Sequence, residues 1–184
     1  MDRHVFPWWK GFKLLNPKRA VRHPAAAILS PFVRAGMTVA DIGCGMGYFS
    51  VPLARLVGKE GRVHCIDLQK QMLAALSWRA AARGLGKRIS ARKCGPDSLG
   101  VADLSGAVDF ALAFNVAHET PAGHPFLSEL AAMLKPGGRA LLCEPTFRVT
   151  EPAFAVLLEN ARRAGLAAES ALEIAGERCV LLSK

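Results

Sequence analysis

The chain has 184 residues, 51% hydrophobic and 21% charged, which excludes a disordered polymer and suits one domain with a full core. No apolar run approaches the ~20 residues of a bilayer span, and the basic Met1 end runs into Trp-Trp-Lys-Gly-Phe-Lys rather than an apolar signal segment. The net charge of +9 is concentrated in two blocks, residues 1–23 at +5 (Arg3, Lys10, Lys13, Lys18, Arg19, Arg22 against Asp2) and residues 79–93 at +6, leaving the rest at −2.

From residue 24 onward, short apolar runs alternate with amphipathic ones. Residues 37–42 (MTVADI) predict a strand, 48–57 a helix closed by Gly58, and 62–66 a second strand. Residues 69–83, with Met72, Leu73 and Leu76 at helical spacing, predict a helix capped by Gly84. A short strand follows at 88–92, then 108–114, apolar enough to be buried on both faces. Leu127, Leu130, Ala131 and Leu134 mark a helix that ends before Pro136-Gly137-Gly138. Residues 139–143 predict a buried strand, 151–164 a helix stopped by Gly165, and 168–174 and 178–182 two last strands. This alternation implies a doubly wound α/β sheet with ligands at the carboxyl ends of its strands. The domain expected is 24–184, preceded by an aromatic and basic arm, 1–23.

Five cysteines, Cys44, Cys65, Cys94, Cys143 and Cys179, lie far apart with no C-x-x-C pair. That spacing argues against a disulfide framework or a zinc site and for a reducing, cytoplasmic setting.

The strongest local signal is Val39-Ala-Asp-Ile-Gly-Cys-Gly-Met-Gly47. A strand enters a loop with glycines at 43, 45 and 47, where the backbone can approach a ligand closely. A dinucleotide fingerprint would need glycine at position 48, which is Tyr48. Asp41 would repel a pyrophosphate and attract an ammonium or sulfonium group. Asp67, at the tip of the second strand, is placed to accept from the two hydroxyls of a ribose. Asp97, in Gly95-Pro-Asp-Ser-Leu99, is a candidate acceptor for an adenine amino hydrogen. Each has a plainer reading as a bare turn, a solvated carboxylate or an ordinary loop residue.

Together these segments resemble the class I S-adenosylmethionine-dependent methyltransferases. The likeness covers about residues 24–184 and rests on VADIGCGMG, VHCIDLQKQML, GPDSL, VDFALAFNVAHE and LKPGGRALLCEP. It implies a Rossmann-like seven-strand sheet of order 3-2-1-4-5-7-6, with strand 7 antiparallel and no cap domain. The implied cofactor is S-adenosyl-L-methionine and the product S-adenosyl-L-homocysteine. The resemblance places Gly43, Cys44, Gly45 and Gly47 around the methionine part and ribose, and Asp41 near the amino group. It places Asp67 on the ribose hydroxyls with Leu68 and Met72 nearby, Asp97 and Ser98 near the adenine, and Asn115 beside the sulfonium.

Methyl transfer needs an aligned nucleophile and, where the acceptor carries a proton, a base. In Phe114-Asn-Val-Ala-His118-Glu119, His118 is the candidate base and Glu119 an electrostatic partner. Both could instead order the loop. The loop lacks the Pro-Pro-aromatic signature of exocyclic-amino enzymes and the Pro-Cys of covalent cytosine enzymes. Asp109 begins its strand, which argues against a catechol-type magnesium site, and the dispersed cysteines argue against thiol ligation. By elimination the chain is similar to the small-molecule branch, nearest to quinone-pathway C-methyltransferases, though shorter.

Three segments are available to cover an acceptor: 1–23, 115–125 and 145–150. They bring Trp8, Trp9 and Phe147 as substrate candidates. The arm, from His4 to Pro17, reads as a terminal segment docked on the domain, as a lid over a flat or anionic small molecule, or as a membrane-surface element. In the 79–93 block, Arg79, Arg83, Lys87 and Arg88 read as a solvated face, with Arg92 and Lys93 toward the binding edge. Two other classes remain: an RNA-directed methyltransferase using the basic blocks, against which the lack of an RNA-binding appendage speaks, and a non-catalytic cofactor-binding regulator. The sequence is equally compatible with a monomer and a homodimer.

Overall fold

The computed structural model describes residues 5–121 and 123–184. Asp2, Arg3 and His4 of the arm, and Ala122 of the 115–125 loop, lie outside the described residues. The described chain forms one seven-stranded sheet of order β3-β2-β1-β4-β5-β7-β6. It divides into two compact units, one up to Cys94 and one from Gly95 to Lys184.

The first unit opens with a 3-10 helix, Trp8–Leu15, followed by α1 (Pro17–Arg22) and α2 (Ala25–Leu29). Asn16 starts α1, its side chain accepting from the Lys18 amide at 2.9 Å, with Pro17 in the first turn. Strand β1 (Thr38–Ile42), α3 (Ser50–Leu56), β2 (Arg62–Asp67), α4 (Lys70–Ala81) and β3 (Ile89–Lys93) complete the unit. β1 and β2 run parallel, and so do β2 and β3, with Asp67 opposite Lys93 at the carboxyl edge. Val39, Leu53, Val63, Ile66 and Leu76 are fully buried. Burying each such side chain contributes roughly 1.5–3 kcal/mol.

The second unit holds β4 (Val108–Phe114), α5 (Phe126–Met133), β5 (Leu134–Pro145), α6 (Glu151–Arg163), β6 (Ala167–Ile174) and β7 (Glu177–Ser183). β4 and β5 are parallel, while β7 is antiparallel to both β5 and β6, as the resemblance implied. β6 exposes most of its residues, among them Glu169 and Glu173, charges that discourage pairing with another chain at a sheet edge. Asp109, at the start of β4, pairs with Lys135 at 2.6 Å.

Several expectations need correction. The helix expected from residue 48 begins at Ser50, because residues 43–49 are spent on turns of the glycine loop. β5 starts at Leu134, five residues early, since Pro136-Gly137-Gly138 forms a bulge within the strand: Gly137 has φ of +73°, and the pairing with β4 shifts from Val108–Leu134 to Phe110–Arg139. The cysteine expectation also fails for one pair, because Cys143 of β5 is disulfide-bonded to Cys179 of β7. Far apart in sequence, the two stand opposite each other in the antiparallel register. Arg79 and Arg88 are not a solvated face. Both are half-buried; Arg79 donates to the Met46 carbonyl and Arg88 to the Ala54 carbonyl, at 3.0 Å for the latter. Long side chains can reach back to carbonyls of a neighbouring loop or helix, which composition does not reveal. Among the described residues no helix is long and apolar enough to cross a membrane.

Candidate active site

In the first unit, the glycine loop is tied down by main-chain and carboxylate contacts. The Gly43 and Cys44 amides donate to the Ile66 carbonyl at 2.8 and 3.1 Å. Gly45 and Gly47 have φ of +54° and +80°, a region that side chains with a Cβ seldom enter. The Gly45 amide donates to Asp67 Oδ2 at 2.8 Å, and the Gln69 amide to Asp67 Oδ1, also at 2.8 Å. Asp67 therefore links the loop after β1 to the loop after β2. Burial pushes its carboxyl above the usual range, opposed by these two amide bonds. A carboxylate has about four acceptor positions, so two remain for a ligand.

Asp41 lies at the end of β1, 2% exposed, and accepts from the Ser50 hydroxyl at 2.5 Å. Burial pushes its carboxyl up to about 7, with the Ser50 hydrogen bond pulling the other way. A cation placed against it would restore the ionised form. Burial also pushes the Cys44 thiol up, so this sulfur is a neutral packing group rather than a nucleophile. Leu68 is half-buried beside Asp67.

The arm rests on this loop. A Cβ at Gly11 would sit 2.6 Å from Met46 Cε and 2.9 Å from Met72 Sδ, and one at Gly45 would sit 3.3 Å from Leu14. Buried Met72 thus packs under the arm. The Trp8 amide donates to Gln69 Oε1 at 3.0 Å, and Gln69 Nε2 donates to the Phe6 carbonyl at 2.8 Å. Trp8 and Trp9 meet edge to face, 6.2 Å apart. Trp9 is 65% exposed. The arm is docked through its glycine while its tryptophan rings remain open to solvent.

In the second unit the decisive residue is one to which the sequence reading assigned no role. Glu144, at the end of β5, is 0% exposed. Its Oε1 accepts from the Val116 and Ala117 amides at 3.2 and 2.8 Å, and its Oε2 from the His118 amide at 3.2 Å. Oε2 also meets His118 Nδ1 at 2.5 Å. An ionised carboxylate only accepts hydrogen bonds, so Nδ1 carries the proton and Nε2 is left with its lone pair. His118 is 15% exposed, and its Nε2 lies 4.0 Å from Glu119 Oε1.

Asn115 has φ of +61°, the only described non-glycine residue with positive φ. Its amide donates to the Cys143 carbonyl at 2.8 Å and its Nδ2 to Glu177 Oε1 at 3.3 Å. Its buried Oδ1 has no hydrogen-bond partner. The 95–100 turn is organised by Glu129 of α5, another residue the sequence reading missed. Ser98 donates to Glu129 Oε1 at 2.6 Å, and the Leu99 amide donates to Oε2 at 2.8 Å. Ser98 thus spends its one proton within the protein, while Asp97 is exposed in the turn. Phe147 is well exposed, with the Arg148 guanidinium 5.8 Å from its ring centroid.

A parallel-to-mixed sheet with this strand order and a glycine loop bound to an aspartate at the next strand's tip defines a class I S-adenosylmethionine-dependent methyltransferase. The chain belongs to that family, its residues 39–138 matching the model described as a methyltransferase domain. It is 35% identical to a nocamycin O-methyltransferase of Saccharothrix syringae over 61% of this chain and 39% of that protein. With a ubiquinone/menaquinone biosynthesis C-methyltransferase of Hahella chejuensis it shares 32% identity over 67% of this chain and 50% of that protein. The chain therefore spans about two fifths to one half of these relatives. The solved structure of a SAM dependent methyltransferase from Aquifex aeolicus is 26% identical and superimposes with a TM-score of 0.83, covering 97% of this chain and 98% of that one.

The residues present fit the family's cofactor, S-adenosyl-L-methionine. Within the first unit, Asp67 has free acceptor positions and Asp41 is a buried acid that a cation would ionise.

Proposed function

We propose that the chain is a methyltransferase acting on a small-molecule acceptor whose attacking atom carries a proton, such as a phenol, an enol or an activated carbon acid. The observation that carries this reading is the His118 Nδ1–Glu144 Oε2 contact at 2.5 Å. A fully buried carboxylate on Nδ1 fixes the ring and leaves Nε2 of the neutral imidazole to take a proton. S-adenosyl-L-methionine, when bound, supplies a sulfonium-activated methyl group. Asp41 would hold its amino group and Asp67 its ribose hydroxyls, with Leu68 beside them; in the second unit, Asn115 would be the candidate for the sulfonium end and Asp97 and Ser98 for the base. His118 Nε2 would take the acceptor's proton while the acceptor atom's electron pair forms the bond to the methyl carbon and the methyl–sulfur bond breaks, its electrons leaving with the thioether product; Glu144 would stabilise the imidazolium. Glu119, 4.0 Å from Nε2, adds negative charge beside that cation. Such a base is worth roughly 10²–10⁴ in rate.

The relatives named for ubiquinone/menaquinone biosynthesis and for nocamycin support a small, ionisable acceptor. Incubation with methyl-labelled cofactor and a panel of small phenols, quinols and enols tests the reading. Label in an extractable small product is the expected result. Label found only in RNA, or cofactor binding without transfer to any acceptor, overturns it in favour of an RNA enzyme or a regulatory binder.

A further inference from the structure

The 3-10 helix Trp8–Leu15 is an eight-residue run in a conformation that seldom exceeds three or four residues. At three residues per turn its side chains form three rows rather than a continuous spiral. One row meets the domain through Gly11 and Leu14, since Gly11 lies against Met46 and Met72 and Leu14 against Gly45, while Trp8 at its start is 40% exposed. A second row, Trp9, Phe12 and Leu15, faces outward. Trp9 is 65% exposed and Phe12 69% exposed. The third row carries Lys10 and Lys13, both exposed, and exposed Lys18 follows in α1. Residues 5–22 contain no acid. Val21 of α1 is likewise exposed.

We infer that this arm docks on an anionic lipid bilayer. An apolar row ending in a tryptophan and a phenylalanine, flanked by lysines and free of acids, matches the boundary between acyl chains and charged headgroups. The rings enter the acyl boundary, and the lysines pair with the negative headgroups above it. A large apolar pair left in water on an arm otherwise firmly held, through Gly11 and through the Trp8 and Phe6 main chain, is not explained by packing within the unit. Nucleic acid would use the lysines but would not require the paired row of Trp9, Phe12 and Leu15. Because the inward row rests on the glycine loop, the docked surface lies directly over Met46 and Gly45.

Co-sedimentation of the full chain with two kinds of vesicle tests this. One is pure phosphatidylcholine and the other contains one third phosphatidylglycerol. Three lysines near such a surface should favour the anionic vesicles on the order of a hundredfold at low salt, and the preference should shrink as salt rises. Trp9→Ser with Phe12→Ser should weaken binding to anionic vesicles at least about tenfold, and Lys10, Lys13 and Lys18 replaced by Gln should remove the preference. Unchanged thermal melting of both variants will show that the fold survives. The inference is overturned by no partition into anionic vesicles, by partition that the Trp9/Phe12 variant leaves unchanged, or by tight binding to bulk RNA in place of lipid. Methyl transfer is not read out, so these outcomes are independent of the proposed reaction.

Discussion

Asp67 and Glu144 are two versions of one device. Each is a buried carboxylate at the carboxyl end of a strand, and each grips backbone amides of the loop after another strand. Asp67 grips one amide of the glycine loop and one of its own loop, and retains free acceptor positions at 8% exposure. Glu144 grips three consecutive amides, 116 to 118, and spends its remaining capacity on an imidazole, with no exposed surface. The first keeps acceptor capacity open; the second is saturated by the protein and an imidazole. On the proposed reading the same chemical group binds in one unit and positions in the other, and the difference lies in how many lone pairs the backbone has already claimed.

The largest effect should come from breaking the saturated version. Glu144→Ala strands three amides and the ring N–H in an apolar site, so urea unfolding should show a loss of about 3 kcal/mol or more. Glu144→Gln keeps the shape and should lower kcat about a hundredfold while cofactor Kd, by calorimetry, stays within about threefold. An equal loss in both would mean that Glu144 is not a positioning residue for His118.

Next in size is the acid beside the glycine loop. Asp41 titrates at about 7 in the fold, well above its ordinary value of 3.8. Between those pH values the folded state holds a proton that the unfolded chain releases, so wild-type stability falls as pH rises through the window and levels off above it. Asp41→Asn lacks this slope. The gap in unfolding free energy between variant and wild type should widen in the variant's favour by a few kcal/mol from pH 4 to pH 7.5. Around pH 6, cofactor binding should release up to about one proton, read as a buffer-dependent calorimetric enthalpy. Release in Asp41→Asn equal to wild type would remove Asp41 from the amino-group site.

For the unsaturated carboxylate, Asp67→Ala should weaken cofactor binding more than about tenfold, since each hydrogen bond to a charged group contributes roughly 1.5–3 kcal/mol. An unchanged Kd would collapse the contrast with Glu144. Asn115 separates backbone from side chain more finely. Asn115→Gly relieves the positive φ while Asn115→Ala retains it, so the glycine variant should be about 1 kcal/mol or more the more stable of the two. Both should lose cofactor affinity if the orphan Oδ1 is a contact. The smallest effect belongs to Asp109, whose half-exposed pair with Lys135 sits at the opposite end of β4 from Asn115. Asp109→Ala should change stability by less than about 1 kcal/mol and leave methyl transfer intact.

The sheet was largely readable from periodicity because its strands are short apolar runs whose burial leaves little choice of register. β4 shows this directly, being buried along nearly its whole length as its composition required. What escaped were features set by partners distant in sequence. The helices at 17–22 and 25–29 are too short for a period, and Pro24 and Pro31 read as loop. The Cys143–Cys179 bridge depends on antiparallel register across 36 residues. Asp67 was visible because its motif is local, IDL beside a glycine loop. Glu144 stands in an equally local motif, LLCEP, but its role is written in the amides of residues 116–118, to which no side-chain pattern points. A surplus acid just after a buried strand, opposite a His-bearing loop, was the available signal.

Gly11 gives the arm an unusual economy. The whole inward seam closes on a missing methyl group, since a single added carbon would press on both Met46 and Met72. Attachment of eighteen described residues ahead of the first buried histidine is therefore adjustable by one atom. Gly11→Ala should press first on the flexible ends of Met46 and Met72, so the seam yields through those two side chains while the outward chemistry of the segment stays as it is.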